Sequence, residues 1–158
     1  MAISTGIGSA VYIAAATTGR VATAYPSLTW VEIGKVESFG EFGDTDGESK
    51  FTPLKDGRTR TLKAATDPGG ITIKYADDPL DLGQIALIAA KADRSALVYP
   101  IKIVSADGAD ANDTDTTTYF GVRVLSIKPS KGETGVSMRS AVCAIDTPFH
   151  EIASVAVS

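Results

Sequence analysis

The sequence has very few of the residues on which most protein chemistry depends. It contains one cysteine, Cys143, and one histidine, His150, among 158 residues. A single cysteine excludes an intrachain disulfide and any zinc site built on several thiolates. Cys143 lies in an alternating apolar segment, where a small buried thiol is the usual outcome, and His150 is more typical of a surface or packing residue. We therefore predict no catalytic site, no metal centre and no cofactor.

A long hydrophobic run is also missing. The first nineteen residues contain no lysine or arginine, and the apolar segment AVYIAAA, residues 10–16, is short. It is too short for a membrane span and lacks the basic start of a signal peptide. We expect a protein with no membrane association that folds in a reducing compartment.

What is abundant is period-two alternation of apolar and polar residues, which is typical of half-buried strands. The clearest strands are ITIKYA, residues 71–76, and LVYPIKIV, residues 97–104. Two longer runs, 116–129 and 133–146, are joined by a short turn that suits a hairpin. At this length we expect one domain. The predicted fold class is mainly β, a β-sandwich or barrel-like domain of two packed antiparallel sheets.

One segment, DDPLDLGQIALIAAKADRS at 77–95, breaks the β pattern and predicts a helix at about 79–92. Asp78 is the expected cap and Pro79 the first-turn residue, with Asp81 near the helix N-terminus. An apolar stripe is expected to pack on the sheet, with Gln84 and Lys91 on the opposite side. The stripe consists of Leu82, Ile85, Ile88, Ala89 and Ala92.

An acidic segment at 105–119 offers the one candidate for a cation site. It carries Asp107, Asp110, Asp113 and Asp115. Counted from Asp110, the sixth position lacks the glycine of a calcium-binding loop and the twelfth lacks its bidentate glutamate. A solvated loop is favoured, and calcium binding within 105–118 stays open.

The charges are distributed unevenly along the chain, whose formal net charge is −4. Residues 1–49 hold two cations and six anions, a sum of −4, whereas residues 50–74 hold six cations and two anions, a sum of +4. The cations could decorate the solvated side of a long hairpin. Nucleic-acid binding is less favoured, because no aromatic residue lies between 52 and 74 to stack on bases. Oppositely charged segments also suit a head-to-tail contact between identical subunits.

The order and spacing of several segments resemble the tail tube protein of long-tailed bacteriophages, over roughly residues 25–147. The resemblance is carried by YPSLTWVEIGKVESFG, by KFTPLKDGRTRTLKAATDPGGITIKYADDPLDLGQIALIAA, and by TYFGVRVLSIKPSKGETGVSMRSAVCAID. The corresponding family elements are Ile33–Val36, Thr52–Asp56, Asp67–Gly70, Pro79–Ala92 and Phe120–Val122. Tubes of contractile tails and of a secretion system have a similar fold, but the resemblance favours the non-contractile type.

This resemblance implies a single tail-tube-like domain, residues 1–158, with a 25–147 core, a long loop at 49–66, and terminal arms at 1–24 and 148–158. It further implies six-membered rings that stack into a tube for DNA ejection. The expected partners are further copies of the chain, the tape measure, tail terminator and distal tail proteins, and viral DNA that passes without specific binding. The expected location is the virion tail, with the host cytoplasm before assembly.

The loop is the expected contact with the next ring. Its predicted interface residues are Lys50, Phe51, Leu54, Lys55, Arg58, Arg60, Leu62 and Lys63, facing Glu37, Glu41, Asp44, Asp46 and Glu48 of a neighbour. Exposed ion pairs contribute only ~0.2–1 kcal/mol each, so apolar burial should supply most of the affinity. Glu32 and Glu37 are the candidate lumen residues. The alternative is a small β-sandwich binding module with Trp30 and nearby tyrosines as a sugar platform.

Overall fold

The computed structural model describes residues 8–15, 28–95, 97–106, 115–131 and 135–153. Within them, ten strands and one helix follow in the order β1 Ala10–Ile13, β2 Val31–Ile33, β3 Val36–Ser38, β4 Thr45–Phe51, β5 Arg60–Asp67, β6 Gly70–Ala76, α1 Leu82–Ala92, β7 Tyr99–Ser105, β8 Thr116–Ser130, β9 Met138–Ile145 and β10 His150–Ile152. The chain is mainly β with one described helix, which confirms the predicted fold class.

Eight strands form one antiparallel sheet in the order β2-β1-β7-β8-β9-β6-β3, with β10 paired to β8 beside β9. β2 and β3 stand at opposite ends of this order, although only Gly34 and Lys35 separate them in the chain. The three Cα-to-Cα steps from Ile33 to Val36 span at most about 11 Å, so the ends of the sheet must approach each other. The sheet therefore curls into a barrel-like half-cylinder around its core.

The core follows from the alternation seen in the sequence. Every second residue of β6 is buried, and Ile71, Ile73 and Tyr75 are all within 2% of full burial. Matching residues of the neighbouring strands complete a single apolar cluster, which includes Phe120 of β8 and Cys143 of β9. The long strand β8 bends at a bulge between Val124 and Ser126, which increases the local twist of the sheet.

The two-sheet arrangement takes a different form from the one expected. The second sheet contains only β4 and β5, which form an antiparallel hairpin, and every residue of both strands is exposed. We call residues 45–67 the hairpin arm. The predicted loop at 49–66 is wrong in its conformation, because most of it is paired strand and only 52–59 form the connecting turn.

The predicted terminal arms contain strands of the main sheet where the structure describes them. Residues 10–13 form β1, an inner strand between β2 and β7, in which Val11 and Ile13 are each 1% exposed. His150–Ile152 form β10. The remaining parts of both arms, 1–7, 16–24 and 154–158, lie outside the described residues, as does 107–114 of the acidic segment.

Helix α1 closes the gap where the ends of the sheet meet. It begins three residues later than predicted, and the cap is Asp81, not Asp78. One Asp81 carboxylate oxygen accepts from the Gln84 backbone N–H and the other accepts from the Gly34 N–H, each at 3.1 Å. Asp81 therefore caps the N-terminus of the helix and holds the β2–β3 turn at the same time.

Gln84 fastens the same junction from inside the helix and is only 2% exposed. Its Nε2 donates to the carbonyl oxygens of Gly34, at 3.0 Å, and Ala76, at 2.9 Å, while its Oε1 accepts from Asp78 N–H at 2.9 Å. These bonds join β2, β6 and the segment before the helix. The buried amide is fully used, as buried polar groups must be.

Candidate functional site

One face of the hairpin arm carries its two large apolar side chains, and we call it the apolar face although Arg60 also lies on it; the other face is charged. In an antiparallel pair, directly opposed residues share a face and successive residues alternate between faces. Phe51 opposes Arg60, and Leu62 opposes Ser49, so these four residues share one face. Phe51 is 47% and Leu62 57% exposed. Two large apolar side chains are thus exposed on this face of the arm.

The other face carries ion pairs that are complete within the arm. Lys50 Nζ lies 3.3 Å from Glu48 Oε1, and Lys63 Nζ lies 3.4 Å from Asp46 Oδ2. Lys63 also stands directly opposite Glu48 in the strand register. The structure therefore pairs four of the predicted interface charges with one another inside a single chain.

The turn at 52–59 and the first residue of β5 hold the remaining cations of the predicted site. Arg60 donates to Asp56 Oδ2 at 2.7 Å, so its charge is also partnered. Lys55 and Arg58 have no ion pair among the described residues, and both are exposed. Beside them, Leu54 is fully exposed, at 102%. The tip of the arm thus carries an exposed leucine and two cations for which the described residues provide no ion pair.

The predicted acidic partners divide into two groups. Asp46 and Glu48 belong to the arm itself, as described above. Glu37, Glu41 and Asp44 lie in or after β3, are exposed, and have no ion pair among the described residues. Glu41 and Asp44 line a cleft at the base of the arm. Tip and base of the arm therefore carry uncompensated charges of opposite sign.

Helix α1 presents to solvent the face that was expected to be buried. Its buried residues are Gly83, Gln84, Leu87 and Ala90. The predicted apolar stripe points outward; Leu82 is 70%, Ile85 47% and Ile88 43% exposed, and Ala89 and Ala92 are exposed too. We call these five residues the helix stripe.

The reason for this inversion lies at the β2–β3 turn. A Cβ on Gly83 would lie 2.6 Å from Ile33 Cα and closer still to the Glu32 carbonyl oxygen, so only glycine permits this approach. Gln84 must face the same way to reach its three partners. Close backbone packing and the amide network thus decide which side of the helix points inward, against the hydrophobic periodicity.

The candidate sugar platform is part of a packed cluster on the sheet. The Trp30 ring lies 5.7 Å from that of Tyr119, at 40°, and Lys102 Nζ lies 5.2 Å from the Trp30 centroid. Lys102 is also 4.3 Å from the Tyr12 ring, and burial lowers the pKa of its amine. Part of each aromatic surface is therefore already covered by protein.

The other candidate chemical groups are placed as follows. Cys143 is fully buried, and this burial raises the pKa of its thiol to about 12, which disfavours the thiolate that a nucleophile or metal ligand requires. His150 stacks on Tyr119 at 6.1 Å. Within the described residues, His, Cys, Asp and Glu side chains form no cluster of three that could hold a metal. No helix among these residues is long and apolar enough to cross a bilayer.

Glu32 and Glu37, the candidate lumen residues, are both exposed. Glu32 stands opposite Tyr12 in the β1–β2 register, on the side of the sheet away from the core. Neither carboxylate has an ion pair among the described residues. They can present negative charge to a neighbouring surface or to a channel.

Comparison with known proteins gives similarity in structure alone. No protein-family model matches the chain, and no curated protein matches its sequence. A chain of the anti-feeding prophage baseplate superposes with a TM-score of 0.73 at 8% identity, covering 97% of each chain. A chain from the PVC sheath/tube terminator of an extracellular contractile injection system gives 0.71 at 10%, covering 97% of this chain and 99% of the other. The SPP1 tail tube protein gives 0.59 at 14%, covering 94% and 78%. The resemblance to tail tube proteins is confirmed at the level of the fold.

Proposed function

We propose that this protein is a structural subunit that assembles with copies of itself into the tube of a phage tail. In this proposal, hexameric rings stack axially into a conduit for DNA ejection, in a tail of the non-contractile type. The observation that carries the proposal is the hairpin arm, in which both strands are exposed along their whole length. The solved structures to which the chain is similar in fold include a tail tube and components of injection systems.

The physical argument concerns the stability of the arm. A two-stranded hairpin is marginal by itself in water and needs a partner for one of its faces. This arm has an apolar face containing Phe51 and Leu62, and no described element packs extensively on either strand. Contact with another subunit would bury this face, and it would also cover open strand edges that otherwise invite uncontrolled pairing.

The charges suit such a contact between identical subunits. Leu54, with Phe51 and Leu62, would supply affinity, because burying a large apolar side chain contributes about 1.5–3 kcal/mol. Lys55 and Arg58 would steer the tip towards carboxylates of the next subunit, with Glu37, Glu41 and Asp44 as the proposed acidic side. Because tip and base differ, the contact is heterologous and can repeat without closing.

The paired charges of the arm would contribute less to the contact between rings than the sequence predicts. Lys50, Lys63 and Arg60 already have partners, so they can join an inter-ring contact only by sharing or exchanging Glu48, Asp46 and Asp56. Lys50 and Lys63 would mainly keep the charged face of the arm soluble and its two strands in register, whereas Arg60, on the face of Phe51 and Leu62, would stay paired with Asp56.

A conduit for DNA should not hold DNA. Duplex DNA carries one charge per ~1.7 Å and binds cationic surfaces by counterion release, so a negative lumen lets it slide. Glu32 and Glu37 are the proposed lumen residues, consistent with a net charge of −4. In a virion tail, the tape measure, terminator and distal tail proteins would be the other partners. Before assembly, the chain would be located in the host cytoplasm, where it is synthesised.

Negative-stain microscopy of the concentrated protein tests the proposal directly. We expect rings or tubes, alone or after addition of a tail-tip nucleus. Lys55→Glu with Arg58→Glu should reduce assembly most strongly at low salt. The matched control, Lys128→Glu with Lys131→Glu, makes the same charge change at exposed residues outside the arm and should assemble normally. A chain that stays monomeric under all conditions and binds glycans would favour the sugar-binding module instead.

A further inference from the structure

The helix stripe is an exposed apolar surface on which no described element of the chain packs. Its five residues are all apolar, and they are all the residues on the outward side of the 11-residue helix. Leu80, just before the helix, adds a side chain that is 86% exposed. A surface helix normally places polar residues on its outer side, so a fully apolar outer side marks a contact surface.

The hairpin arm carries the second uncovered apolar surface, on the face with Phe51 and Leu62. The helix makes its extensive contacts with β1, β2 and β8, and the strands of the arm make theirs only with each other. The two apolar surfaces therefore do not cover one another within the chain. An apolar helix stripe on an apolar sheet face is the packing by which protein layers normally associate.

We propose that the helix stripe is the docking surface for the apolar face of the hairpin arm of a second copy of the chain. This inference rests on the proposed self-assembly and names the apolar partner of the arm. Phe51 and Leu62 would pack against Ile85 and Ile88, with Leu82 at the border of the contact.

The dimensions of the two surfaces agree. An 11-residue helix is ~16 Å long at 1.5 Å per residue, and the seven-residue strand β4 is ~23 Å long at about 3.3 Å per residue. The arm can thus cover the whole stripe and still extend its tip, with Leu54, beyond the end of the helix. A second copy is a sufficient partner, because each chain carries both halves of the contact.

The charges at the N-terminal end of the stripe are complementary to those at the tip of the arm. The stripe contains no charged residue; Asp78 and Asp81 lie at the N-terminal end of the helix, whereas Asp93 at the C-terminal end lies between Lys91 and Arg94 in sequence. The arm brings Lys55 and Arg58 at its tip, with no ion pair among the described residues to neutralise them. Opposite charges at the rim of an apolar contact favour encounter and fix its direction.

Disulfide trapping can test the contact. The native Cys143 is fully buried and should not form disulfides between chains, so it should not interfere with the assay. The double variant Leu62→Cys with Ile85→Cys should give a ladder of covalent oligomers on mild oxidation under assembly conditions. Each single variant should give no ladder. Leu62→Cys with Val142→Cys is the matched control, since Val142 is an exposed apolar residue on β9, and it should give no ladder.

Charge insertion gives the second readout. Ile85→Glu and Phe51→Glu, both at exposed positions, should keep the circular dichroism of the native chain and each lose polymerisation. Mixed together, they should form heterodimers, because one intact arm meets one intact helix stripe. Val142→Glu should polymerise normally.

The outcomes separate the inference from the proposed function. Tubes that form with no Leu62–Ile85 ladder, or that survive Ile85→Glu, would overturn the helix stripe as the docking surface while the tube function stands. Failure of the native chain to assemble at all, with or without a nucleus, would overturn both.

Discussion

Replacing Gln84 with leucine should test whether the amide network closes the barrel-like sheet. Leucine has similar bulk but leaves Gly34 C=O, Ala76 C=O and Asp78 N–H without the partners that lie 2.9–3.0 Å away in the native chain. A buried hydrogen bond contributes ~0.5–1.5 kcal/mol net, and an orphaned buried group costs about 1–3 kcal/mol. Allowing for the apolar gain of leucine, we expect the free energy of unfolding to fall by about 2–4 kcal/mol.

Urea unfolding followed by the fluorescence of Trp30 measures this change, since Trp30 is the only tryptophan and packs against Tyr119. In a domain of this size the midpoint of thermal unfolding should also fall, by about 2–4 °C per kcal/mol. Thr61→Leu, at an exposed position of the arm, is the control and should be nearly neutral. A Gln84→Leu protein within about 0.5 kcal/mol of the native chain would refute the network as a stabilising closure.

Three further predictions concern other buried groups. Gly83→Ala should lower the free energy of unfolding by ~1–3 kcal/mol, because the added Cβ would overpack against β2. In an exposed helix the same change would be stabilising. A gain in stability measured by urea unfolding would therefore contradict the close approach. Cys143 should not react with a thiol reagent at pH 8 until denaturant is added. Burial raises the pKa of the Cys143 thiol from 9.0 to about 12. Between pH 9 and pH 12 the thiol therefore ionises only in the unfolded chain, so the free energy of unfolding should fall as the pH rises through this range. Labelling of the native protein at pH 8 would contradict the burial of the thiol. Thr147→Val should cost about 1–3 kcal/mol, because the Thr147 hydroxyl accepts from the buried Gly121 N–H at 2.6 Å, whereas Thr147→Ser should retain most of the stability.

The strands were the most predictable part of the fold, because alternation reports burial on one side of a sheet directly. Residues 71–76 were expected as a strand and form most of β6, with the predicted face of Ile71, Ile73 and Tyr75 buried. The inner strand β1 was missed. Its two buried residues, Val11 and Ile13, lie in a run of small apolar residues too short to show a period, and its position depends on pairing with residues 31–33 and 101–104.

The residues of the hairpin arm were identified from charge, but their roles depend on the strand register. Sequence places five cations in one segment and cannot show that Lys50 and Lys63 share a face with Glu48 while Phe51 and Leu62 share the other. That separation requires the pairing of Ser49 with Leu62 and of Phe51 with Arg60. Once the register is known, the arm is seen to be amphipathic instead of uniformly basic, with Lys55 and Arg58 at its tip unpaired within the described part of the chain.

The orientation of the helix could not be derived from periodicity, because an apolar stripe indicates only that some partner covers it. For α1, two local features outweigh the stripe: Gly83 admits the β2 backbone, and Gln84 needs three partners that all lie at the sheet junction. Since these interactions fix the inward side, Leu82, Ile85 and Ile88 stay exposed, and the docking proposed above would bury them. In a protein that functions as a monomer, polar residues would be expected on the outward side of the helix, because an exposed apolar patch promotes aggregation. A stripe that is apolar throughout is therefore better explained by a specific contact than by the needs of the isolated fold.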